Sequence, residues 1–299
     1  MTGVLVIDKA KGMTSHDVVA AARKALAMKR IGHSGTLDPI ATGVLPLLIG
    51  EATKLSPWLT AGEKEYKATL LLGVETDTLD SEGKVLRTSQ LDNVDERMIR
   101  DAFSGFQGVI RQTPPLFSSV KIHGRPLYEY ARKGHAVVPP ERQVTIYSMK
   151  VTGIDLPHVE FQVSCSKGTF IRQLASDIGK ELGCGAHLTS LRRIRSGPFT
   201  LTQAITIEQM KVLSREGKVQ SYLIPMNQAL SGLTVISVTQ EVAESVRCGR
   251  PFDGGNAFLK TGEKGMVLNK DRGEDLVAIV EGRGEGLPMK TLRVFNTEK

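Results

Sequence analysis

Apolar and polar positions divide the chain into short, well-punctuated stretches. Residues 4–7 form an apolar run that predicts a strand, and Lys11-Gly12-Met13-Thr14-Ser15 reads as a turn. Val18, Val19, Ala22 and Leu26 recur at helical spacing. They predict a helix from His16 to about Met28, with Ser15 as its cap. Residues 30–39 lose this periodicity. They hold two glycines, a proline, a histidine, two hydroxyls and a carboxylate, and read as a loop. Strands are predicted at 66–72, 84–87, 144–153 and 160–164, and a helix at 95–106. Residues 111–143 are rich in Pro, Gly, Lys and Arg and predict a long excursion with at most a short helix. Ile171, Leu174, Ala175, Ile178 and Leu182 then mark one face of an amphipathic helix, capped by Thr169 and ended by Gly183 and Gly185.

After residue 230 the pattern changes. Short β-like runs at 235–238, 265–268, 276–280 and 291–295 are separated by glycines. The chain therefore reads as a larger α+β domain over 1–229 and a small, mostly β domain over 230–299.

Composition adds boundaries to this picture. The chain has 299 residues, 40% of them hydrophobic, enough for two cores. The amino terminus lacks a signal-peptide pattern, and no apolar window reaches the ~18–20 residues needed to span a bilayer. A soluble, cytoplasmic protein is expected. Cys165, Cys184 and Cys248 fit no disulfide framework or zinc pattern and read as buried free thiols. The formal charge is +7, and its placement is informative. Residues 103–195 carry 13 Lys/Arg against 6 Asp/Glu, whereas residues 1–102 carry 13 against 14. A basic middle stretch suits a polyanion, although a solvated surface would have the same composition.

Candidate chemistry gathers around Asp38. An Asp before a Pro makes turns and caps, but it also suits nucleophilic or base chemistry when neighbouring groups hold it. No second carboxylate pairs with it in sequence, as glycoside hydrolysis would need. Gly32 and Gly35 complete neither a dinucleotide fingerprint nor a phosphate loop, and the zinc-deaminase pattern is missing. His33 is compatible with base stacking or with a satisfied loop histidine. Tyr66 reads as a core aromatic with its hydroxyl at the rim. Arg172 stands at a helix start, where a cation is disfavoured; simple exposure is the plainer reading, an anionic partner the sharper one. Asp77 and Asp80 fail the calcium-loop spacing and read as turn formers.

Several ordered stretches resemble the TruB family of bacterial tRNA pseudouridine synthases. They are Lys9-Ala10-Lys11-Gly12-Met13-Thr14-Ser15, Gly32-His33-Ser34-Gly35-Thr36-Leu37-Asp38-Pro39, Lys64-Glu65-Tyr66-Lys67-Ala68, Ser166-Lys167-Gly168-Thr169-Phe170-Ile171-Arg172 and Gly183-Cys184-Gly185-Ala186-His187-Leu188. The resemblance implies a pseudouridine synthase fold with a central, mostly antiparallel mixed sheet and a small PUA-like carboxy-terminal domain. It implies isomerisation of the T-loop uridine of tRNA by a monomer without cofactor, metal, membrane or obligate protein partner. By the same resemblance Asp38 matches the essential aspartate, Tyr66 the tyrosine that stacks on the base and is implicated in proton transfer at C5, and Arg172 the arginine paired with the aspartate. His33 matches the histidine that fills the space of the flipped nucleotide, and Leu191 a leucine of the pocket wall. Lys11, Arg192 and Arg193 are expected to bind substrate, the two arginines together with Arg195 as a phosphate-gripping cluster. Phe170 stands where many relatives have Tyr. Residues 111–143 match an RNA-gripping insertion expected to become ordered on binding. A binding protein or folding helper that grips the same RNA would need the basic segment but not Asp38.

Overall fold

Alternation builds the centre of the molecule. The strands of its first part are β1 (Gly3–Lys9), β2 (Ile31–His33), β3 (Thr42–Ile49) and β4 (Lys64–Leu72), followed by a hairpin of β5 (Val74–Thr76) and β6 (Val85–Thr88). Next come β7 (Gly108–Gln112), a small hairpin of β8 (Lys121–Ile122) and β9 (Arg125–Pro126), β10 (Arg142–Asp155), β11 (His158–Cys165), β12 (Ala186–Ser196) and β13 (Phe199–Thr200). A second sheet holds β14 (Thr234–Val238), β15 (Lys264–Asn269), β16 (Asp275–Glu281) and β17 (Lys290–Val294). This computed structural model describes residues 1–299 except 136, 253, 255–257, 285–286 and 297–299. Among the described residues the large sheet has nine strands, with the path β1-β3-β12-β4-β11-β10-β7 and with β2 and β13 attached to β3 and β12. β3 and β12 run parallel, and the other ladders of this sheet are antiparallel.

The helices are α1 (Ser15–Ala25), α2 (Ser56–Ala61), α3 (Glu96–Gly105), α4 (Leu127–Arg132), α5 (Ile171–Glu181), α6 (Ile207–Arg215), α7 (Met226–Ala229) and α8 (Gln240–Arg247). Two predicted caps shift. Thr14, not Ser15, caps α1, in a reciprocal capping box with Asp17. This frees the Ser15 hydroxyl, which accepts from Leu37 N at 2.8 Å. Helix α5 starts after Phe170 without a side-chain cap, and the Thr169 hydroxyl donates to Ser166 O instead. Gly183 and Gly185 end it in left-handed conformations, as expected. The predicted loop at 30–39 begins as strand, because Ile31–His33 pairs with β3. The excursion holds the β8–β9 hairpin and the six-residue α4. Helix α8 interrupts what the sequence predicts as β-like runs; Val242, Ala243 and Val246 form its inner face. Cys165 and Cys184 are buried free thiols, but Cys248 is exposed, because it follows α8 on its solvent side.

Strand β1 is apolar on both faces because both are covered. Leu5 and Ile7 join the core under α1 and α6. Val4 and Val6 turn the other way and pack in one cluster with Met266, Leu268, Leu276, Ile279 and Phe295 of the carboxy-terminal part. Polar contacts reinforce this seam. Lys54 Nζ donates to Val294 O at 3.0 Å, and Glu51 accepts from Asn296 N at 2.9 Å. The small β unit therefore shares a core with the large sheet. No helix among the described residues is long and apolar enough to cross a membrane.

Candidate active site

Asp38 ends the loop that leaves β2 and folds back towards β3. Its side chain is 36% exposed, and Oδ2 accepts from Arg172 Nε at 2.9 Å. Arg172 is not exposed, contrary to the plainer reading of its helix-start position: only 4% of its side chain meets solvent. Its remaining donors explain why it can be buried. Nη1 donates to Thr78 O at 2.8 Å, and Nη2 donates to Phe117 O at 2.9 Å. Asp80 Oδ2 lies 3.5 Å from Nη1 and supplies a second carboxylate. One guanidinium thus joins the Asp38 loop, the β5–β6 hairpin and the base of the insertion. Asp77 accepts from Lys84 N, the predicted turn role, whereas Asp80 combines turn bonds with the ion pair.

Asp38, Tyr66, Phe170, Arg172 and Leu191 line one small cleft, and Ser118 and Ser119 of the insertion close one side. Tyr66 is 8% exposed, with the rest of its ring in the core, as the alternation of β4 predicts. Burial pushes its hydroxyl above the usual tyrosine range, and the Arg193 guanidinium opposes that rise. His33 lies at the end of β2, outside this lining. Its Nδ1 is buried without a partner, and burial, then Arg193, lowers its pKa.

Three buried cations stand under the loop. Period-2 alternation puts Lys9 on the face of Leu5 and Ile7, Lys64 on that of Tyr66 and Ala68, and Arg193 on that of Leu191. Lys9 Nζ donates to Met13 O at 2.7 Å, Ala10 O at 2.9 Å and Pro39 O at 3.4 Å. Burial lowers its pKa to about 8, against the pull of the Asp38 charge. Lys64 donates to Thr60 O and Gly62 O and is lowered to about 8 for the same first reason. Arg193 donates to Val44 O at 2.7 Å, Gly35 O at 3.1 Å and Thr36 O at 3.4 Å. The loop before and after Asp38 is therefore clipped by cations that sequence reasoning either missed or assigned elsewhere.

The expected arginine cluster is corrected on this point. Arg193 is 1% exposed and spends its donors on backbone carbonyls. Arg192 pairs with Asp8 through two bonds, at 2.7 and 3.1 Å, and Arg195 pairs with Glu65 and Glu63. Arg193 turns to the Tyr66 face of the sheet, while Arg192 and, beyond a β-bulge, Arg195 lie on the other face and are each spent on acids, so the three do not form one patch. Lys11 is exposed and outside the cleft, and the lysine beside the loop is Lys9.

Such a cleft presents a solvent-reachable carboxylate with a fixed orientation, a tyrosine in the same lining and the apolar side chains of Phe170, Ile171 and Leu191. It suits covalent or proton-transfer chemistry on a base taken out of a stack. Comparisons with known proteins agree. Residues 23–171 match the model of the TruB family pseudouridylate synthase N-terminal domain, and residues 172–231 that of the tRNA pseudouridylate synthase B C-terminal domain. The tRNA pseudouridine synthase B of Geobacter sulfurreducens is 48% identical over 251 residues, 84% of this chain and 83% of the relative. The protein of the same name from Geobacillus thermodenitrificans is 40% identical over 302 residues, 99% of this chain and 100% of the relative. Among solved structures, an H/ACA RNP bound to a substrate RNA containing 2'-deoxyuridine aligns with a TM-score of 0.76 at 26% identity, covering 98% of this chain and 85% of the other. With the fold, the cleft and the near full-length identity in accord, the chain belongs to the TruB family of pseudouridylate synthases.

Proposed function

We propose that this protein isomerises a uridine in the T loop of transfer RNA to pseudouridine, acting in the cytoplasm without a cofactor. The observation that carries the reading is the Asp38–Arg172 pair facing Tyr66 in one cleft, in a chain so similar to tRNA pseudouridine synthases B. The reaction breaks the N1–C1′ bond, turns the freed uracil and forms C5–C1′, so substrate and product have the same atoms. Asp38 is the group that assists cleavage, and Arg172 fixes its orientation with a charge-assisted hydrogen bond. Tyr66 stacks on the ring and takes part in removing the C5 proton. Phe170 and Leu191 supply apolar walls that replace the stacking lost when the base leaves its loop.

The insertion and the carboxy-terminal unit form the RNA-holding parts of this reading. Lys121, Arg125 and Lys133 are exposed on the insertion and are placed to meet phosphates. Residues 230–299 are read as the PUA-like unit, holding RNA beyond the T arm. Asp38→Asn and Asp38→Ala decide the matter. Incubated with unmodified tRNA, both are expected to form no pseudouridine while binding it nearly as well as wild type. Turnover by both variants, or modification mapped outside the T loop, would overturn the assignment.

A further inference from the structure

Arg193 is the most buried guanidinium of the site, and it has no acid of its own. Its neighbours on β12, Arg192 and Arg195, pair with Asp8 and with Glu63 and Glu65. No carboxylate among the described residues lies within ion-pairing distance of Arg193. A buried charge without a counter-ion is costly, and an apolar side chain would fill the same strand position more cheaply. What it touches gives the reason for keeping it. Gly35 O and Thr36 O belong to the loop that ends in Asp38, and Val44 O belongs to β3. Arg193 stands directly opposite Tyr66 in the β4–β12 ladder and opposite Gly43 in the β3–β12 ladder. Opposed residues of a ladder share a face at close range. The approach to β3 is so close that a Cβ on Gly43 would sit 2.2 Å from Arg193 O.

We propose that Arg193 is a positioning residue of the isomerisation: its guanidinium ties the Asp38 loop to the strand that carries Tyr66 and leaves its unpaired charge to act on the Tyr66 hydroxyl. The inference rests on the proposed function for the step it serves. Tyr66 rests as a phenol and first gives its proton to solvent; after C5 has bonded to C1′, the phenolate takes the C5 proton, the C–H electron pair returns to the ring, and the phenol is restored. The groups around Tyr66 are Arg193 on β12, Cys165 on β11, Lys64 on its own strand, Asp38 on the loop and Arg172 on α5. Cys165 is held protonated by burial, with its pKa near 11, and Asp38 opposes a phenolate. Arg172 is already paired with Asp38 and Asp80. Lys64 also lacks an acid but points its ammonium at Thr60 O and Gly62 O. Arg193 is the unpaired cation that stands opposite Tyr66 in its ladder and acts on its hydroxyl.

Arg193→Gln, Arg193→Met and Arg193→Lys test this against a merely structural role. Gln and Met are expected to lose about a hundredfold in kcat, the scale of an ångström-sized misplacement, with KM for tRNA within about threefold of wild type. Lys is expected to recover at least about tenfold of that loss, because it restores charge but not the fork of donors. The second measurement needs no RNA. The ultraviolet phenolate titration of Tyr66, isolated by difference against Tyr66→Phe, is expected to move to higher pH in Arg193→Gln. Melting curves identify any variant that fails to fold, and Arg193→Lys then carries both measurements. Wild-type kcat in folded variants, or an unmoved Tyr66 titration, would overturn the proposal. Absence of pseudouridine from wild-type reactions would sink the functional reading instead, and the titration would still decide the link between Arg193 and Tyr66.

Discussion

Arg172 Nε meets Asp38 Oδ2 at 2.9 Å although the two residues are 134 positions apart. The contact joins the first turn of α5 to the loop behind β2, and the same guanidinium also reaches Asp80.

Removing Arg172 should therefore cost both activity and stability. Arg172→Met leaves Asp80, only 8% exposed, without its cation and should lower the unfolding free energy by about 3 kcal/mol. Arg172→Lys keeps the charge but cannot serve Asp38, Thr78 and Phe117 together. It should stay folded and lose activity chiefly in kcat. Denaturant unfolding and steady-state kinetics on the same preparations check both outcomes.

The buried Lys9 gives a pH dependence with a definite sign. Its pKa falls from 10.5 in an open chain to about 8 in the fold. Between these values the unfolded chain binds the extra proton, so this group makes stability rise with pH from about 8 to 10.5. Below pH 8 both states are protonated, and the cost of burying the charge is present in full. Lys9→Met removes the titration along with three hydrogen bonds to carbonyls. The unfolding free energy of wild type minus that of Lys9→Met should rise between pH 7 and 9.5. A difference that stays flat or falls would show that Lys9 is not depressed.

Phe295 is fully buried where the small β unit meets β1 and β3. Phe295→Ala should cost about 3–5 kcal/mol. Because its cluster contains side chains of both sheets, the loss should appear in one cooperative transition, reported alike by probes in either part. Two separated transitions would contradict a shared core.

On the insertion, Lys121, Arg125 and Lys133 are exposed. Replacing all three by Gln should weaken tRNA binding and flatten its salt dependence, by up to about 0.7–0.9 in log–log slope for each phosphate that is no longer neutralised. The effect should fall on KM more than on kcat. An unchanged slope would assign RNA binding to another face.

The strands around the cleft are legible in the sequence because one residue in two is apolar, and β4 reads inward at Tyr66, Ala68, Leu70 and Leu72. Asp38, Tyr66 and Arg172 are legible from family motifs, and they share one cleft. Arg193 is misread because its surroundings come from residues 35–44 and 66, which no local window contains. A usable signal exists: two positions beyond Leu191 on a strand, an arginine must face the same way as the leucine. Lys9 after Ile7 carries the same signal, but Lys11 of the same motif is the lysine expected to bind substrate. The charge count is sound as a sum and misleading as a map, since Arg172 and Arg193 contribute to it from the interior. Helix α8 is hidden among β-like runs, because eight residues hold only two helical turns.

The double-faced β1 has one more consequence. Since Val4 and Val6 lock into Met266, Leu276 and Phe295, the small sheet has no swivel on the large one. Any RNA touching both the cleft and the carboxy-terminal surface meets them at a set separation, as between the jaws of a caliper. Selection among RNAs can then rest on span as well as on loop shape, with the gauge cut by the packing of a single amino-terminal strand.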